Sequence, residues 1–258
     1  MNHMSLIRKF LGNIKNHWKD LTDDLSISLK RKKRIYIINN YPGGYQPERV
    51  IRLENIIRLN YPQINVRTIH YSNIEIKKIK KSIGLILTGS SLNVSSFTKN
   101  PKLKKKFDKE IKLIKHEYKK PILAICFGHQ LAAFAFGAEL KRMSYRTLHN
   151  DIFILQINQS DELIPSQEVR VNLNHKDFVV PNDKNLDKYF NIFATLSVNG
   201  YETVQYMRHK KRPIYSVQFH PENHIANSNY PPYLEDSVID EAKIAGQMII
   251  TNFISICL

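Results

Sequence analysis

A single cysteine lies between a run of residues that predicts an apolar strand and a run that predicts a helix. Residues 121–125 are apolar apart from their opening proline, Cys126 follows, and residues 131–136 read as an apolar helix. A tight turn of this kind lifts one side chain off the carboxyl end of a parallel sheet. It also places the thiol at a positive helix N-terminus, which favours the thiolate. The small residues Ala124 and Gly128 suit such a turn, so we predict an acidified nucleophile at Cys126.

A second apolar run ends at a histidine about ninety residues later. Residues 214–219 read as a strand and are followed by His220, Pro221 and Glu222. A thiol nucleophile needs a base, and the base needs a group that orients it. The proline restricts the backbone between the other two residues. The order of residues predicts a nucleophile at Cys126, a general base at His220 and an orienting carboxylate at Glu222.

Together these segments resemble the class I (triad-type) glutamine amidotransferase family, over roughly residues 34 to 222. The family elbow reads Gly-x-Cys-x-Gly-x-Gln, and residues 124–130 read Ala-Ile-Cys-Phe-Gly-His-Gln, with Ala124 in place of the first glycine. The family also has a Gly-Gly-Pro loop after an earlier strand, of which only Gly89 is retained here. Residues 174–177, Asn-His-Lys-Asp, stand where the family often has Ser-His-x-Asp.

The resemblance implies a reaction and a set of site residues. Cys126 attacks the side-chain amide of glutamine, ammonia leaves with a proton from His220, and water hydrolyses the thioester. The resemblance assigns the oxyanion hole to the backbone N–H groups of Phe127 and of Gly89 or Ser90. It assigns substrate binding to Gln130, His175 and Asp177. It implies no cofactor, and it implies a separate synthase that accepts the ammonia.

Two other functions stay open at this point. The same thiol and base would serve a free-standing γ-glutamyl hydrolase or peptidase that acts on an amide other than glutamine. A chain that has kept the fold but lost the chemistry would be a binding or regulatory module. Ala124 and the altered loop after Gly89 leave room for that second alternative.

The coarse pattern predicts a doubly wound, mostly parallel sheet flanked by helices, the flavodoxin-like fold of class I glutaminases. Alternating strands and helices indicate βαβ units, whose active sites lie at the carboxyl ends of the strands. The expected strands are residues 34–40, 64–70, 84–87 and 122–125, with a β-rich stretch over 152–217 that includes a turn at 197–200. The expected helices are one opened by Pro47, a short one capped by Ser72, and two over 102–119 and 236–256.

Composition narrows the class of protein. The chain has 258 residues and two cysteines, which argues against a disulfide scaffold and suits the reducing cytoplasm. It has no 18-residue apolar run, no phosphate-binding loop and no metal-ligand spacing, so neither a membrane span nor a metal is expected. The net charge of +16 is spread over helices and lacks an RNA-binding aromatic motif, which argues against a nucleic-acid partner.

The first 33 residues are predicted to be a basic amphipathic extension, separate from the domain at 34–258. Apolar residues step by three and four from Leu6 to Leu25 and form one stripe. The stripe fits a helix packed on the domain or on a partner, a helix on a membrane surface, or an organelle presequence. The basic run at 30–34 is a weak signal for nucleic acid.

Overall fold

The computed structural model describes residues 33–44, 47–148 and 150–258. The predicted N-terminal helix therefore lies outside the described residues, and residues 34–258 form one compact unit. The strands are β1 (Arg34–Asn39), β2 (Asn65–His70), β3 (Gly84–Leu87), β4 (Ile122–Ile125), β5 (Leu140–Arg142), β6 (Asp151–Gln156), β7 (Glu168–Leu173), β8 (Asp177–Val179), β9 (Phe190–Val198), β10 (Tyr201–His209) and β11 (Ile214–Val217). The α-helices are α1 (Glu48–Asn60), α2 (Ile76–Ile79), α3 (Pro101–Lys106), α4 (Asp108–Lys112), α5 (Phe127–Ala135), α6 (Lys184–Tyr189) and α7 (Asp236–Cys257).

A seven-stranded sheet carries the architecture, in the order β2-β1-β3-β4-β11-β10-β9. The first five strands of that order run parallel, and β10 pairs antiparallel with both of its neighbours. Strands β3, β4 and β11 are buried along their whole length, as expected for a parallel sheet covered on both faces. The predicted doubly wound, mostly parallel sheet is confirmed.

Alternate residues of the sheet supply two separate cores. In β1, Ile35 and Ile37 pack with α1 and α7 on one face. Tyr36 and Ile38 pack with α5 and the helices of residues 101–117 on the other face. This alternation follows from the two-residue period of a strand. The carboxyl ends of β1, β3, β4 and β11 are therefore held at one edge, between two helical layers.

Two local predictions were wrong. The helix expected over residues 102–119 is interrupted at Phe107, which has φ −100° and ψ 1° and is fully buried. Its ring stacks on Tyr71 with 4.4 Å between centroids, so tertiary packing overrides helix propensity there. Ser72 does not cap a helix, because it lies inside a short 3₁₀ turn and its hydroxyl contacts His70 Nδ1 at 2.6 Å.

The turn between β9 and β10 was predicted correctly. Asn199 and Gly200 have φ of 51° and 79°, the left-handed conformations that a tight hairpin requires. Among the described residues, no helix has both the length and the apolar character needed to cross a membrane.

Candidate active site

Cys126 occupies a strained turn between β4 and α5. Its φ of 51° and ψ of −100° are rare for a residue with a side chain, and such strain gathers at functional sites. The turn is fixed on both sides: Cys126 N–H donates to Val217 O at 2.8 Å, and Cys126 O accepts from Gln130 N–H at 3.0 Å. At Gly128 any Cβ would lie 2.7 Å from Leu87 O, so only glycine lets the helix start this close to β3.

His220 and Glu222 follow β11, the neighbour of β4 in the sheet. His220 Nδ1 lies 2.7 Å from Glu222 Oε1, and both side chains are buried. An ionised carboxylate only accepts hydrogen bonds, so Nδ1 carries the proton and Nε2 is left as the acceptor. Within the part of the chain that the structure describes, Nε2 has no hydrogen-bond partner. The imidazole therefore presents an unprotonated nitrogen that is free to accept a proton.

The charge states of this pair suit a base and its orienting group. Burial, assisted by the nearby Arg49 guanidinium, lowers the pKa of His220 below its ordinary value of 6.5. Burial opposes ionisation of Glu222, but the charge and hydrogen bond of His220, together with Arg49, hold its pKa below the ordinary 4.5. At neutral pH the pair is a neutral imidazole beside a carboxylate.

The main chain of α7 supports the turn that carries this pair. A Cβ at Gly246 would overlap the carbonyl oxygen of Pro221, the residue between His220 and Glu222. Helix α7 thus touches the turn backbone to backbone, and glycine is required for the contact.

Gly89, one residue beyond Thr88 after β3, brings the elbow and the histidine together. A Cβ on Gly89 would lie 2.9 Å from His220 Cε1 and 3.6 Å from Cys126 Cβ. The imidazole and the cysteine therefore flank the same bare stretch of backbone. Ser90 shapes that stretch with its hydroxyl, which donates to Asn40 O at 2.6 Å and accepts from Leu92 N–H at 3.0 Å.

The predicted acidification of Cys126 was wrong. Burial raises the pKa of its thiol to about 12, and this outweighs Arg49 and the hydrogen bond from Phe127 N–H, both of which favour the thiolate. Burial also raises the pKa of Cys257 to about 12. Both cysteines are therefore thiols at neutral pH, and Cys126 needs a base before it can attack.

Cys126 opens into a narrow pocket of about 20 Å³, here called the inner pocket. Its walls include Ser90, Leu92, Asn93, Cys126, Phe127, Gln130, Arg146, Asn174, His175 and Asp177. All three residues predicted to bind substrate are thus brought together there. Gln130 Nε2 donates to Asp177 O at 2.9 Å, and His175 Nδ1 lies 3.0 Å from the same oxygen.

The polar groups of the inner pocket differ in whether they already have hydrogen-bond partners. The Asp177 carboxylate accepts from Arg142 at 2.9 Å and from Ser95 N–H at 3.0 Å. Burial lowers the pKa of His175 to about 4, so this ring is neutral at pH 7. In the described part of the chain its Nε2 has no partner, which leaves one polar atom for a bound molecule.

His220 faces a second space, here called the outer cavity, which has a volume of about 400 Å³ and is open to solvent. Its walls are Tyr41, Pro47, Glu48, Arg49, Arg52, Ser90, Ser91, Arg146, Asn174 and His220. Ser90, Arg146 and Asn174 line both spaces, so the inner pocket and the outer cavity adjoin.

Known proteins match the chain along most of its length. A family model described as "Glutamine amidotransferase class-I" matches residues 53–240. The chain belongs to the class I glutamine amidotransferase family. It is 32% identical over 232 residues to a glutamine-hydrolysing GMP synthase subunit of Methanococcus aeolicus, covering 86% of this chain and 97% of that protein.

Other matches agree with this family. The arginine-specific carbamoyl phosphate synthase small chain of Debaryomyces hansenii is 33% identical over 173 residues, covering 66% of this chain and 36% of that protein. The crystal structure of a glutamine amidotransferase from Thermotoga maritima shares the fold, with a TM-score of 0.62 at 16% identity, covering 88% and 99% of the two chains. The predicted class of function, a glutamine amidotransferase, is confirmed.

Sequence reasoning missed a buried polar brace behind the Gly89 loop of this amidotransferase. Asn40 Nδ2 donates to Thr88 O at 3.2 Å and to Glu110 Oε1 at 3.0 Å, while Asn40 N–H donates to Thr88 Oγ1 at 3.0 Å. Burial raises the pKa of Glu110 to about 8, so this acid is neutral at pH 7. The signal was available, since Glu110 lies on the same helical stripe as Phe107 and Ile114, an apolar face where a carboxylate is out of place.

Tyr41, Arg49 and Arg146 were also missed. Arg49 hydrogen-bonds the Tyr41 hydroxyl, and burial raises the pKa of that tyrosine to about 12. Arg146 donates to Asn174 Oδ1 at 3.2 Å. No short motif marks these residues, because they converge only after folding.

Proposed function

We propose that this amidotransferase releases ammonia from glutamine through a thioester on Cys126 and supplies that ammonia to a separate synthase. The observation that carries the proposal is the basic Nε2 of His220, held by Glu222 at the end of the strand beside the strained Cys126 turn. Nucleophile, base and orienting group thus follow two paired parallel strands, the arrangement that thiol catalysis requires.

The first step is proton transfer from Cys126 Sγ to His220 Nε2. The thiol does not ionise alone at neutral pH, because burial holds its pKa near 12. In our proposal the sulfur attacks the side-chain amide carbon as the base accepts its proton. The carboxylate of Glu222 then stabilises the imidazolium that forms.

The second step expels ammonia. The tetrahedral oxygen is stabilised by the backbone N–H groups of Phe127 and of Gly89 or Ser90, which are on the loops that flank Cys126. His220 returns its proton to the amide nitrogen, the C–N bond breaks, and a γ-glutamyl thioester remains on Cys126. Water, deprotonated by His220, then attacks the thioester, and glutamate leaves as the sulfur recovers its proton.

The inner pocket is the proposed glutamine site. Gln130, His175 and Asp177 form one hydrogen-bonded group at its wall. The Asp177 carboxylate is occupied by Arg142 and Ser95, so the role we assign to Asp177 is to position Gln130 and His175. His175 Nε2 is the atom left to contact substrate.

The synthase partner is inferred from relatives. The matched proteins are named as a subunit or a small chain of two different synthases, and each name places its protein in a multi-chain enzyme. We therefore expect this chain to work beside a synthase that consumes the ammonia it releases.

Glutamate release from glutamine tests the proposal. We expect the purified chain to release glutamate, Cys126→Ala to abolish release, and the matched thiol variant Cys257→Ala to retain it. If the purified chain is silent and cell extract restores Cys126-dependent release, the site is gated by a partner. Silence under both conditions, in folded protein, would falsify the enzymatic proposal and favour a binding module.

A further inference from the structure

Tyr41 brings a fourth polar side chain to the reacting groups. The three atoms nearest to a Cβ built on Gly89 are His220 Cε1 at 2.9 Å, the Tyr41 hydroxyl oxygen at 3.4 Å and Cys126 Cβ at 3.6 Å. The nucleophile, the base and this hydroxyl therefore border the same bare face of Gly89. The thioester chemistry proposed above employs the nucleophile and the base but not the hydroxyl.

The backbone of Tyr41 is fixed at the carboxyl edge of the sheet. Tyr41 follows β1 closely, and β1 pairs with β3, the strand that leads to Gly89. The N–H of Tyr41 donates to Asn39 Oδ1 at 3.0 Å, and its carbonyl oxygen accepts from His70 Nε2 at 2.9 Å. These two contacts fix the point at which the phenol ring leaves the backbone.

The hydroxyl of Tyr41 keeps a proton that it can donate. Burial, assisted by negative charge on Glu222 and Cys126 and opposed by Arg49, raises the pKa of Tyr41 to about 12, so the phenol is neutral at pH 7. A guanidinium only donates hydrogen bonds, so Arg49 donates to the phenol oxygen and leaves the phenol proton for another acceptor. A cation that donates to this oxygen also makes the phenol proton a stronger donor.

The location of Tyr41 indicates which step its hydroxyl serves. Tyr41 and His220 both line the outer cavity, which is open to solvent. Phe127, whose N–H we assign to the oxyanion, lines the inner pocket. Tyr41 therefore shares its space with the base and with solvent, and water that reaches His220 from the outer cavity meets this hydroxyl.

We propose that the Tyr41 hydroxyl, held by Arg49, positions the water that hydrolyses the thioester on Cys126, an inference that rests on the proposed glutaminase chemistry. The hydroxyl donates to the water oxygen while His220 Nε2 accepts a proton from the same water. The C–O bond forms, the C–S bond breaks, and His220 returns the proton to the departing sulfur. Tyr41 keeps its own proton throughout, so it is a catalytic hydrogen-bond donor and Arg49 is a positioning residue.

Removal of the hydroxyl in Tyr41→Phe should slow hydrolysis of the thioester and leave its formation unchanged. Mass spectrometry of acid-quenched chain at saturating glutamine gives the fraction that carries the γ-glutamyl thioester. The kcat divided by this fraction is the rate constant for thioester hydrolysis, which should fall about tenfold, the effect of one hydrogen bond. The value of kcat/KM, which reports the steps up to loss of ammonia, should stay within about twofold of the native value.

Two further variants control this measurement. Tyr61→Phe is the matched control, because it removes a tyrosine hydroxyl that bonds to Thr251 O at 3.1 Å, and it should keep both constants. Arg49→Met should slow thioester hydrolysis much as Tyr41→Phe does, and it supplies the same readout if Tyr41→Phe fails to fold. Adding Arg49→Met to Tyr41→Phe should slow this step no further, because the guanidinium acts on it through the hydroxyl.

Four results would overturn the inference. Unchanged thioester hydrolysis in Tyr41→Phe, beside normal release of glutamate by the native chain, would leave the proposed function intact and remove Tyr41 from this step. A fall in kcat/KM without slower thioester hydrolysis would assign the hydroxyl to an earlier step. Further slowing in the double variant would show that Arg49 does not act through Tyr41. A native chain that releases no glutamate, alone or with cell extract, would overturn the proposed function and this inference together.

Discussion

Two glutamates of this protein are both fully buried yet take opposite charge states. Glu222 contacts His220 at 2.7 Å and its pKa is lowered, whereas Glu110, among the described residues, has only the amide of Asn40 at 3.0 Å and its pKa is raised to about 8. Burial by itself favours the neutral acid in both cases. The imidazole of His220 and the nearby Arg49 guanidinium, and not exposure, therefore decide which buried acid is charged.

The charged and the neutral glutamate have different roles at the site. A carboxylate beside His220 fixes the tautomer and stabilises the imidazolium. A neutral acid behind the Gly89 loop orients the Asn40 amide without placing a negative charge near an oxygen that becomes negative during the reaction.

The largest effect is expected from Glu222→Gln. The amide cannot stabilise the imidazolium and can hold the wrong tautomer, so kcat for glutamate release should fall on the order of 10²- to 10⁴-fold. Thermal unfolding should show that the fold is retained. Undiminished turnover would remove Glu222 from the proposed machinery.

The next effect is expected from Glu110→Ala. Loss of the acceptor leaves a buried Asn40 N–H unpaired, which should lower the free energy of unfolding by roughly 1–3 kcal/mol. The Gly89 loop should loosen as well, so kcat should fall more than KM rises. Denaturant unfolding and steady-state kinetics measure both, and Glu110→Gln, which keeps the acceptor, should restore both; equal defects in the two variants would contradict the brace.

The free energy of unfolding should depend differently on pH in Glu110→Gln and in the native chain. The native pKa of about 8 exceeds the ordinary 4.5, so the folded state binds more protons between these values. The contribution of Glu110 to stability is therefore full below about pH 4.5 and is lost as pH rises through 8. The free-energy difference favouring Glu110→Gln should grow from pH 5 to pH 9. Glu117→Gln, at a partly exposed residue whose pKa is lowered by its hydrogen bond with Lys80, should show no such growth.

The smallest effect is a displacement of the acid limb of the pH profile. His220 must be neutral to accept a proton, and its pKa is lowered from 6.5 by burial and Arg49. The fall of kcat/KM at low pH should therefore have its midpoint below 6.5. A midpoint above 6.5 would mean that the attraction of Glu222 raises the pKa of His220 by more than burial and Arg49 lower it.

The residues of the site that could be predicted from the sequence lie in short local motifs. The elbow at Cys126 and the His220–Glu222 turn each lie within a few residues of a strand end, and the sheet then brings the strand ends together. The brace of Asn40 and Glu110 joins residues 70 positions apart. Arg49 and Arg146 line the same cavity only in the folded chain, so no spacing could indicate them.

The error at Cys126 has the same origin. A helix N-terminus is a local feature, and the sequence shows where it begins. Burial depends on what packs over the thiol, and it prevailed in raising the pKa. The break at Phe107 likewise came from an aromatic contact with Tyr71, which lies on another element.

The backbone contact at Gly246 constrains how this chain can diverge. Because α7 touches Pro221 without an intervening side chain, a residue inserted in the helix ahead of Gly246 would rotate a Cβ into the turn that carries His220. The connection at residues 231–235 is turn and bend, has no helical phase to preserve and is mostly exposed. Insertions and deletions among related chains should therefore be concentrated at residues 231–235, whereas the helix between residue 236 and Gly246 should keep its length. A comparison of chain lengths on either side of residue 236 in related genomes would test this expectation.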